Sequence, residues 1–340
     1  MANVTPSEPH GSSLSDGASP SPADRAGLSP ADSAGLSLSK SAGPSLSDLA
    51  GPPPAGSPIP AVVLHLAAAP GRGGRGRLQL RREFAPTETD PVPIEPAEIQ
   101  QVAIEPVEIE PVEIQPVWRN GLGGLTYRLV TPSGSRYVKW SPPGAEDLSV
   151  EADRLSWAGR FSPVPHVLDA GADDSGSWLL TAALAGRSAV ESPWRERPAA
   201  TALAIGSGLR QLHDALPVDE CPWTWSIEDR VAAAHAAGGL DPQRDRRLAA
   251  LLRSSPPADL VVCHGDACAP NTLIGDDGSW AGHVDVGSLG VADRWADLAV
   301  AAWSTEWNYG PGFAELVYNG YGIEPDRQKI EFYRYLWDET

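Results

Sequence analysis

From residue 117 onward the apolar positions follow the periods of strands and helices, and before it they do not. WRNGLGGLTYRLVTPSGSRYVKW alternates apolar and polar positions, with Tyr127 and Leu129 before a Thr-Pro-Ser-Gly-Ser turn and Tyr137 and Val138 after it. That pattern predicts two strands joined as a hairpin. In LSVEADRLSWAGRF, Leu148, Leu155 and Trp157 stand around a polar face, which predicts a helix closed by Gly159 and Pro163. VPHVLDAGADDSGSWLLTAAL reads as two more strands around a DDSG turn. After Gly186 the period becomes helical, in RPAATALAIGSGLRQLHDAL, SIEDRVAAAHAA and DPQRDRRLAALLRS. The strands return briefly in VVC, NTLI and HVDVG, the last two around a DDGS turn. The prediction is an α+β chain with a small β-rich lobe over residues 117–184 and a larger, mainly helical lobe over 185–340.

The first third of the chain lacks such periods. Residues 1–90 are rich in Ser, Pro, Gly and Ala, with an eight-residue repeat closed by Gly27, Gly35, Gly43 and Gly51, as in LSPADSAG. So little large apolar surface cannot offset backbone entropy, and disorder is expected there. Residues 91–116 repeat every five: VPIEP, AEIQQ, VAIEP, VEIEP, VEIQP. Proline at that frequency excludes a helix and a central strand, leaving an extended linker whose last unit can join a sheet edge. The packed core is therefore smaller than the 340 residues, of which 34 are Gly and 34 Pro.

A formal charge of −18 argues against a nucleic-acid or anionic-membrane surface and favours cationic small molecules as partners. Three cysteines, Cys221, Cys263 and Cys268, have neither disulfide-framework nor zinc-site spacing. No basic and apolar leader opens the chain, and the apolar run at residues 59–70 is broken by Pro60 and His65. A cytoplasmic protein is the expectation.

The chemistry concentrates in VVCHGDACAPNTLIGDDGSWAGHVDVG, residues 261–287. Asp266, Asn271 and Asp285 fall at neighbouring strand or loop ends, where their side chains can converge. The hard oxygens of Asn271 and Asp285 suit Mg2+, and Asp266 is then left to orient and deprotonate a hydroxyl. Phosphoryl transfer also needs a fixed cation. The chain has three lysines, Lys40, Lys139 and Lys329, and Lys139 lies in the apolar strand YVKW with Glu151 just downstream to hold it. His264, His213, Asp293, Arg294 and Asp297 read as packing, capping or internal ion-pairing residues, and nothing supports Cys263 as a nucleophile.

HGDACAPN matches the H-G-D-x-x-x-x-N catalytic loop of the aminoglycoside phosphotransferase family, and HVDVGSLGVADRWADLA is similar to its I-D-x-G-R-x-G-x-A-D-R-x-x-D-L-A segment. EADRLSW, WLLTAALAG, LRQLHDALPVDECP and IEFYRYLWDET follow in the order found in the aminoglycoside 3′-phosphotransferases. The resemblance covers residues 112–340. It implies a protein-kinase-like bilobal fold binding ATP and Mg2+ in the cleft. Asp266 is implied as catalytic base, Asn271 and Asp285 as metal ligands, Lys139 as the phosphate contact and Glu151 as its orienter. Gly123, Gly124 and Thr126 of GLGGLT occupy the place of the nucleotide-positioning loop, and Ala182 to Leu184 that of the adenine hinge. For a polycationic acceptor the available acids are Glu228, Asp229, Glu306, Asp338, Glu339 and the terminal carboxylate of Thr340.

Two departures concern the acceptor. Ser288 stands where the family pattern has arginine, and the chain ends Leu336-Trp337-Asp338-Glu339-Thr340 in place of Leu-Asp-Glu-Phe-Phe. Tryptophan is also abundant in PWTWS and WSTEWNYG. The leading expectation is an ATP-dependent aminoglycoside 3′-kinase that confers resistance. A kinase of another hydroxylated small molecule or antibiotic is the alternative. A non-catalytic nucleotide-binding pseudokinase is a third reading, opposed by the intact Lys139, Glu151, Asp266, Asn271 and Asp285. A protein kinase is disfavoured because H-R-D, D-F-G and A-P-E are missing.

Overall fold

In a computed structural model of the chain, residues 59–68, 112–238 and 241–340 are described. The repeats of residues 1–58 and 69–111 lie outside them. The described residues all belong to one unit, Leu46–Thr340.

The strands of the small lobe are β1 (Glu113–Arg119), β2 (Leu125–Thr131), β3 (Gly134–Ser141), β4 (Val167–Asp173) and β5 (Gly176–Ala182). They form one antiparallel sheet in the order β1-β2-β3-β5-β4. Register places Lys139 opposite Thr126 on one side and Leu179 on the other, so these three share a face. Tyr127, Val138 and Leu180 share the opposite face. Helix α2 (Ser149–Ala158) packs on the lobe through Ala152 and Leu155, with Leu179 in the same cluster.

Two elements begin before residue 117, the predicted start of the small lobe. β1 begins at Glu113, inside the stretch read as linker. It is an edge strand with a bulge between Pro116 and Trp118, which accommodates the proline that a central strand would reject. Helix α1 (Ala61–Ala68) lies within the segment expected to be disordered. Its sequence, AVVLHLAA, puts Val63 and Leu66 into a cluster with Tyr127, Leu129, Val138 and Leu180, so the sheet face turned away from Lys139 supplies the burial that offsets ordering.

The large lobe is built on α3 (Pro198–Ala215), flanked by α4 (Ile227–Ala237), α5 (Pro242–Arg253), α6 (Trp295–Tyr309), α7 (Ala314–Tyr321) and α8 (Arg327–Glu339). Glycine inside α3 costs helix stability on its own. Here a Cβ on Gly206 would stand 2.0 Å from Val317 O, and one on Gly320 2.2 Å from Leu203 O. The two glycines let the backbones of α3 and α7 touch. Short strands β6 (Arg187–Ser188), β8 (Thr272–Ile274) and β9 (Trp280–His283) make one small sheet, and β7 (Leu260–Cys263) pairs with β10 (Gly290–Asp293). These strands carry the segment 264–289 between them.

His283 is fully buried on β9 beside Trp280 and His264, and neither of its ring nitrogens has a hydrogen-bond partner among the described residues. Burial and the nearby His264 push its pKa well below the ordinary value. An imidazole neutral in the fold but protonatable when unfolded stabilises fully above the unfolded pKa of about 6.5, and less at each step below it, by up to ~1.4 kcal/mol per pH unit. His283→Phe, which removes the unpartnered nitrogens, is expected to raise the melting temperature more at pH 5.5 than at pH 8. Parallel pH profiles for the two proteins would refute this role.

Candidate active site

The segment after β7 runs His264-Gly265-Asp266, and its shape is set by a buried carboxylate that follows β10, the strand paired with β7. Asp297, in the first turn of α6 and fully buried, accepts the His264 N–H at 2.6 Å, the Gly265 N–H at 3.0 Å and the His213 Nε2–H at 3.0 Å. Burial works against its ionisation, but His213 and His264 win, and its pKa lies below the ordinary value. Behind it, His213 Nδ1 meets the Tyr321 hydroxyl at 3.0 Å, which in turn accepts from Arg294. Cys263 donates to the Asp293 carbonyl. The buried His213, Cys263 and Asp297 are close enough to hold a metal, yet their polar atoms are already committed to protein partners.

Both ring nitrogens of His264 have protein partners. Its Nε2 donates to Val284 O at 2.9 Å, while Nδ1 accepts the Asp266 N–H at 3.2 Å. It orders the loop, and neither ring nitrogen is free to act on a substrate. Asp266 itself is held by Asn271, whose Nδ2 donates to Asp266 O at 2.9 Å and Oδ2 at 3.1 Å. Asp266 Oδ1 is buried without a hydrogen-bond partner. Burial first and then the negative Asp285 raise the Asp266 pKa, against the opposing His264, Cys268 and Asn271. Below the loop, the Ser304 hydroxyl on α6 accepts the Ala269 N–H at 2.8 Å.

Lys139 reaches across from β3. Its ammonium lies 2.8 and 2.7 Å from the two oxygens of the buried Glu151 on α2, and it also binds Asp285 Oδ1. Burial alone would lower the Lys139 pKa; Asp285 and Glu151 together raise it well above the ordinary value. Asp285 sits at φ 67, in the left-handed region where a non-glycine residue is unusual, and is half exposed. Lys139 keeps its carboxyl below the ordinary range.

These residues fit a hard divalent cation. Because Asn271 spends its amide NH2 on Asp266, its carbonyl oxygen is the atom that remains to coordinate. The Asp285 carboxylate brings further hard oxygens to the same loops.

In the loop before β2, Asn120 Oδ1 accepts the N–H groups of Leu122 and Gly124 and shapes the turn in which Gly123 has φ +88. Thr126 follows on the Lys139 face of β2. At the hinge, the Ala182 N–H donates to His166 O and the Ala183 N–H to Ser135 O. The Leu184 peptide is therefore the first hinge group past these committed donors.

The acceptor-side acids divide. Glu228 and Asp338 are exposed, and Glu306 is 40% exposed with Arg334 3.7 Å away. Asp229 closes a capping box with Ser226 at the start of α4. Glu339 is buried against Arg244 and Arg247, and the Thr340 hydroxyl accepts from the buried Arg230 at 2.8 Å. Trp307 is 51% exposed and packs at a tilt of 55° against Trp303, centroids 4.8 Å apart, one helical turn beyond Ser304.

A strand-rich lobe that offers a carboxylate-held lysine, facing a helical lobe that offers Asp266, Asn271 and Asp285, is the arrangement of a two-lobed phosphotransferase. The chain belongs to the phosphotransferase enzyme family known as APH, whose model matches residues 113–333. It is 40% identical to an aminoglycoside 3′-phosphotransferase of Streptomyces fradiae, over 63% of this chain and 90% of the relative. A crystal structure of an aminoglycoside 3′-phosphotransferase of type VIII aligns with TM-score 0.58 and 33% identity, covering 67% of this chain and 94% of that one. An aminoglycoside phosphotransferase from Streptomyces rimosus, in complex with ADP and streptomycin, aligns with TM-score 0.53 and 30% identity, covering 64% of this chain and 90% of that one. Among the described residues no helix is long and apolar enough to cross a membrane.

Proposed function

We propose that the protein is an ATP-dependent kinase that moves the γ-phosphate to a hydroxyl of an aminoglycoside, the 3′-hydroxyl by likeness to the Streptomyces fradiae relative, and so confers resistance. The observation that carries this reading is the convergence of Lys139 and Glu151 from the small lobe on Asp285 of the large one, beside Asp266 and Asn271. Lys139, kept protonated by two carboxylates, binds the ATP phosphates, and Glu151 fixes its direction. The hinge beyond Ala183 meets the base through its backbone. Mg2+, when held by Asn271 and Asp285, neutralises charge on the phosphates. Asp266 Oδ1 accepts the hydrogen bond of the acceptor hydroxyl, orients its oxygen toward the γ-phosphorus and takes its proton as the new P–O bond forms and the bond from the γ-phosphorus to the bridging oxygen breaks, releasing ADP.

An aminoglycoside carries several ammonium groups, and a chain of charge −18 attracts them. Glu228, Glu306 and Asp338 are exposed and take no part in a helix cap, whereas Asp229, also exposed, closes the α4 capping box and Glu339 is buried against Arg247. The exposed Trp307 supports a second reading, an acceptor that is flatter or carries fewer charges.

ADP release by the purified full chain with Mg-ATP, measured against kanamycin, neomycin and streptomycin, tests both readings. Turnover with kanamycin or neomycin, both of which offer a 3′-hydroxyl, is the expected result. Nucleotide binding without turnover on any of the three would overturn the aminoglycoside assignment.

A further inference from the structure

Ser288 removes a cation from the loop that follows Asp285, but a different arginine reaches that loop. Arg154 stands on α2 one turn after Glu151. Its Nε donates to Leu289 O at 2.9 Å and its Nη1 to Gly287 O, so one planar guanidinium grips the carbonyls on either side of Ser288. The guanidinium lies over the Trp223 ring at 5.5 Å, and Trp157 of the same helix meets Trp223 edge-on at 5.9 Å. On its other side the loop is closed by the catalytic segment, since a Cβ on Gly265 would stand 2.2 Å from Ser288 O. The main chain of residues 287–289 is therefore clamped between α2 and the His264-Gly265-Asp266 turn.

Two links leave α2 for the site. Glu151 holds Lys139, and Arg154 holds the chain two residues after Asp285. A rigid helix carrying both contacts fixes the distance between lysine and aspartate, and that spacing must suit both the phosphates and the metal. The strained φ of Asp285 makes the support necessary, because an unsupported loop would relax toward the right-handed region.

We propose that Arg154 is a positioning residue for phosphoryl transfer, which sets metal-dependent nucleotide binding by clamping the Gly287 and Leu289 carbonyls from the helix that also aligns Lys139. The proposal rests on the reading of Asn271 and Asp285 as Mg2+ ligands.

Calorimetric titration of the full chain with ADP, with Mg2+ and with EDTA, separates the two claims. Wild type is expected to bind ADP more tightly with Mg2+. Arg154→Met, which keeps the side-chain length and loses the two donors, is expected to lose about tenfold of that enhancement, with ADP affinity in EDTA unchanged within about twofold. Arg154→Lys keeps the charge but lacks the planar fork, so it should fall on the Met side of wild type, and it serves as the readout if the Met variant fails to fold. Equal weakening with and without Mg2+ would mark Arg154 as a general stabiliser and overturn the proposal, as would an unchanged enhancement. A wild type with no Mg2+ enhancement at all would instead overturn the metal ligands themselves.

Discussion

Asp266→Asn is expected to lower kcat by between 10² and 10⁴, the range a positioned general base contributes, while ADP affinity stays within a few-fold of wild type. The substitution is close to isosteric. The new amide can turn its carbonyl oxygen to Asn271 Nδ2, preserving the contact now made by Asp266 Oδ2 at 3.1 Å. It then presents an NH2 where Oδ1 is buried without a partner, and an amide nitrogen cannot accept a proton. The pH profile separates chemistry from binding. Burial and the charge of Asp285 raise the Asp266 pKa, so the wild-type rate falls as pH drops through a value above the ordinary carboxylate range, because the protonated acid is no longer a base. That acid limb should be absent in the Asn variant. Near-wild-type kcat, or an unchanged acid limb, would remove Asp266 from the reaction.

The parts of the site that could be read along the chain are those defined by contacts close in sequence or by short spacings. Lys139 and Glu151 are separated by twelve positions, one strand and one helix, and the pairing expected of them is present. Asp266 and Asn271 belong to one turn, and they bond. Contacts of the backbone carry no such signature. Nothing in the letter Arg154 says that it donates to carbonyls more than 130 positions away, and nothing in Asp297 says that it accepts from two peptide N–H groups. Asp297 reads from its surroundings as a helix-capping or ion-pairing acid; it does pair with His213, and beyond that reading it is buried against the backbone of the His264-Gly265-Asp266 turn.

The same limit accounts for the chain end and for α1. Read along the chain, Asp338, Glu339 and the terminal carboxylate of Thr340 are three acceptor-side candidates; in the fold, Arg244 and Arg247 from α5 engage Glu339, and Arg230 from α4 holds the Thr340 hydroxyl. Eight residues of AVVLHLAA bounded by proline-rich sequence are too few to stand as a helix alone. They do so here because a sheet face with Tyr127, Leu129, Val138 and Leu180 is there to receive Val63 and Leu66. Burial of that kind depends on a partner surface that begins at Tyr127, more than sixty residues further along the chain, and local composition gives no account of it.

Asp297→Ala is expected to be the most damaging single change to stability. It would leave three buried donors, the His264 and Gly265 N–H groups and His213 Nε2, without an acceptor. Each such loss costs about 1–3 kcal/mol, and because the three share one partner the sum should be less than additive, near 3–5 kcal/mol. For a folded part of this size that corresponds to a fall in melting temperature on the order of 10 °C. Asp297→Asn keeps one carbonyl oxygen and should fall between wild type and Ala. Activity should fall further than stability requires: at a temperature where the Asn variant is still fully folded, kcat should already be reduced at least about tenfold, because the backbone N–H groups of His264 and Gly265 set where Asp266 points. Thermal melts and steady-state rates on the same samples decide the matter. A variant that melts early but keeps its kcat when folded would mean that Asp297 supports the lobe and leaves the catalytic turn to its other contacts, His264 to Val284 and Ala269 to Ser304.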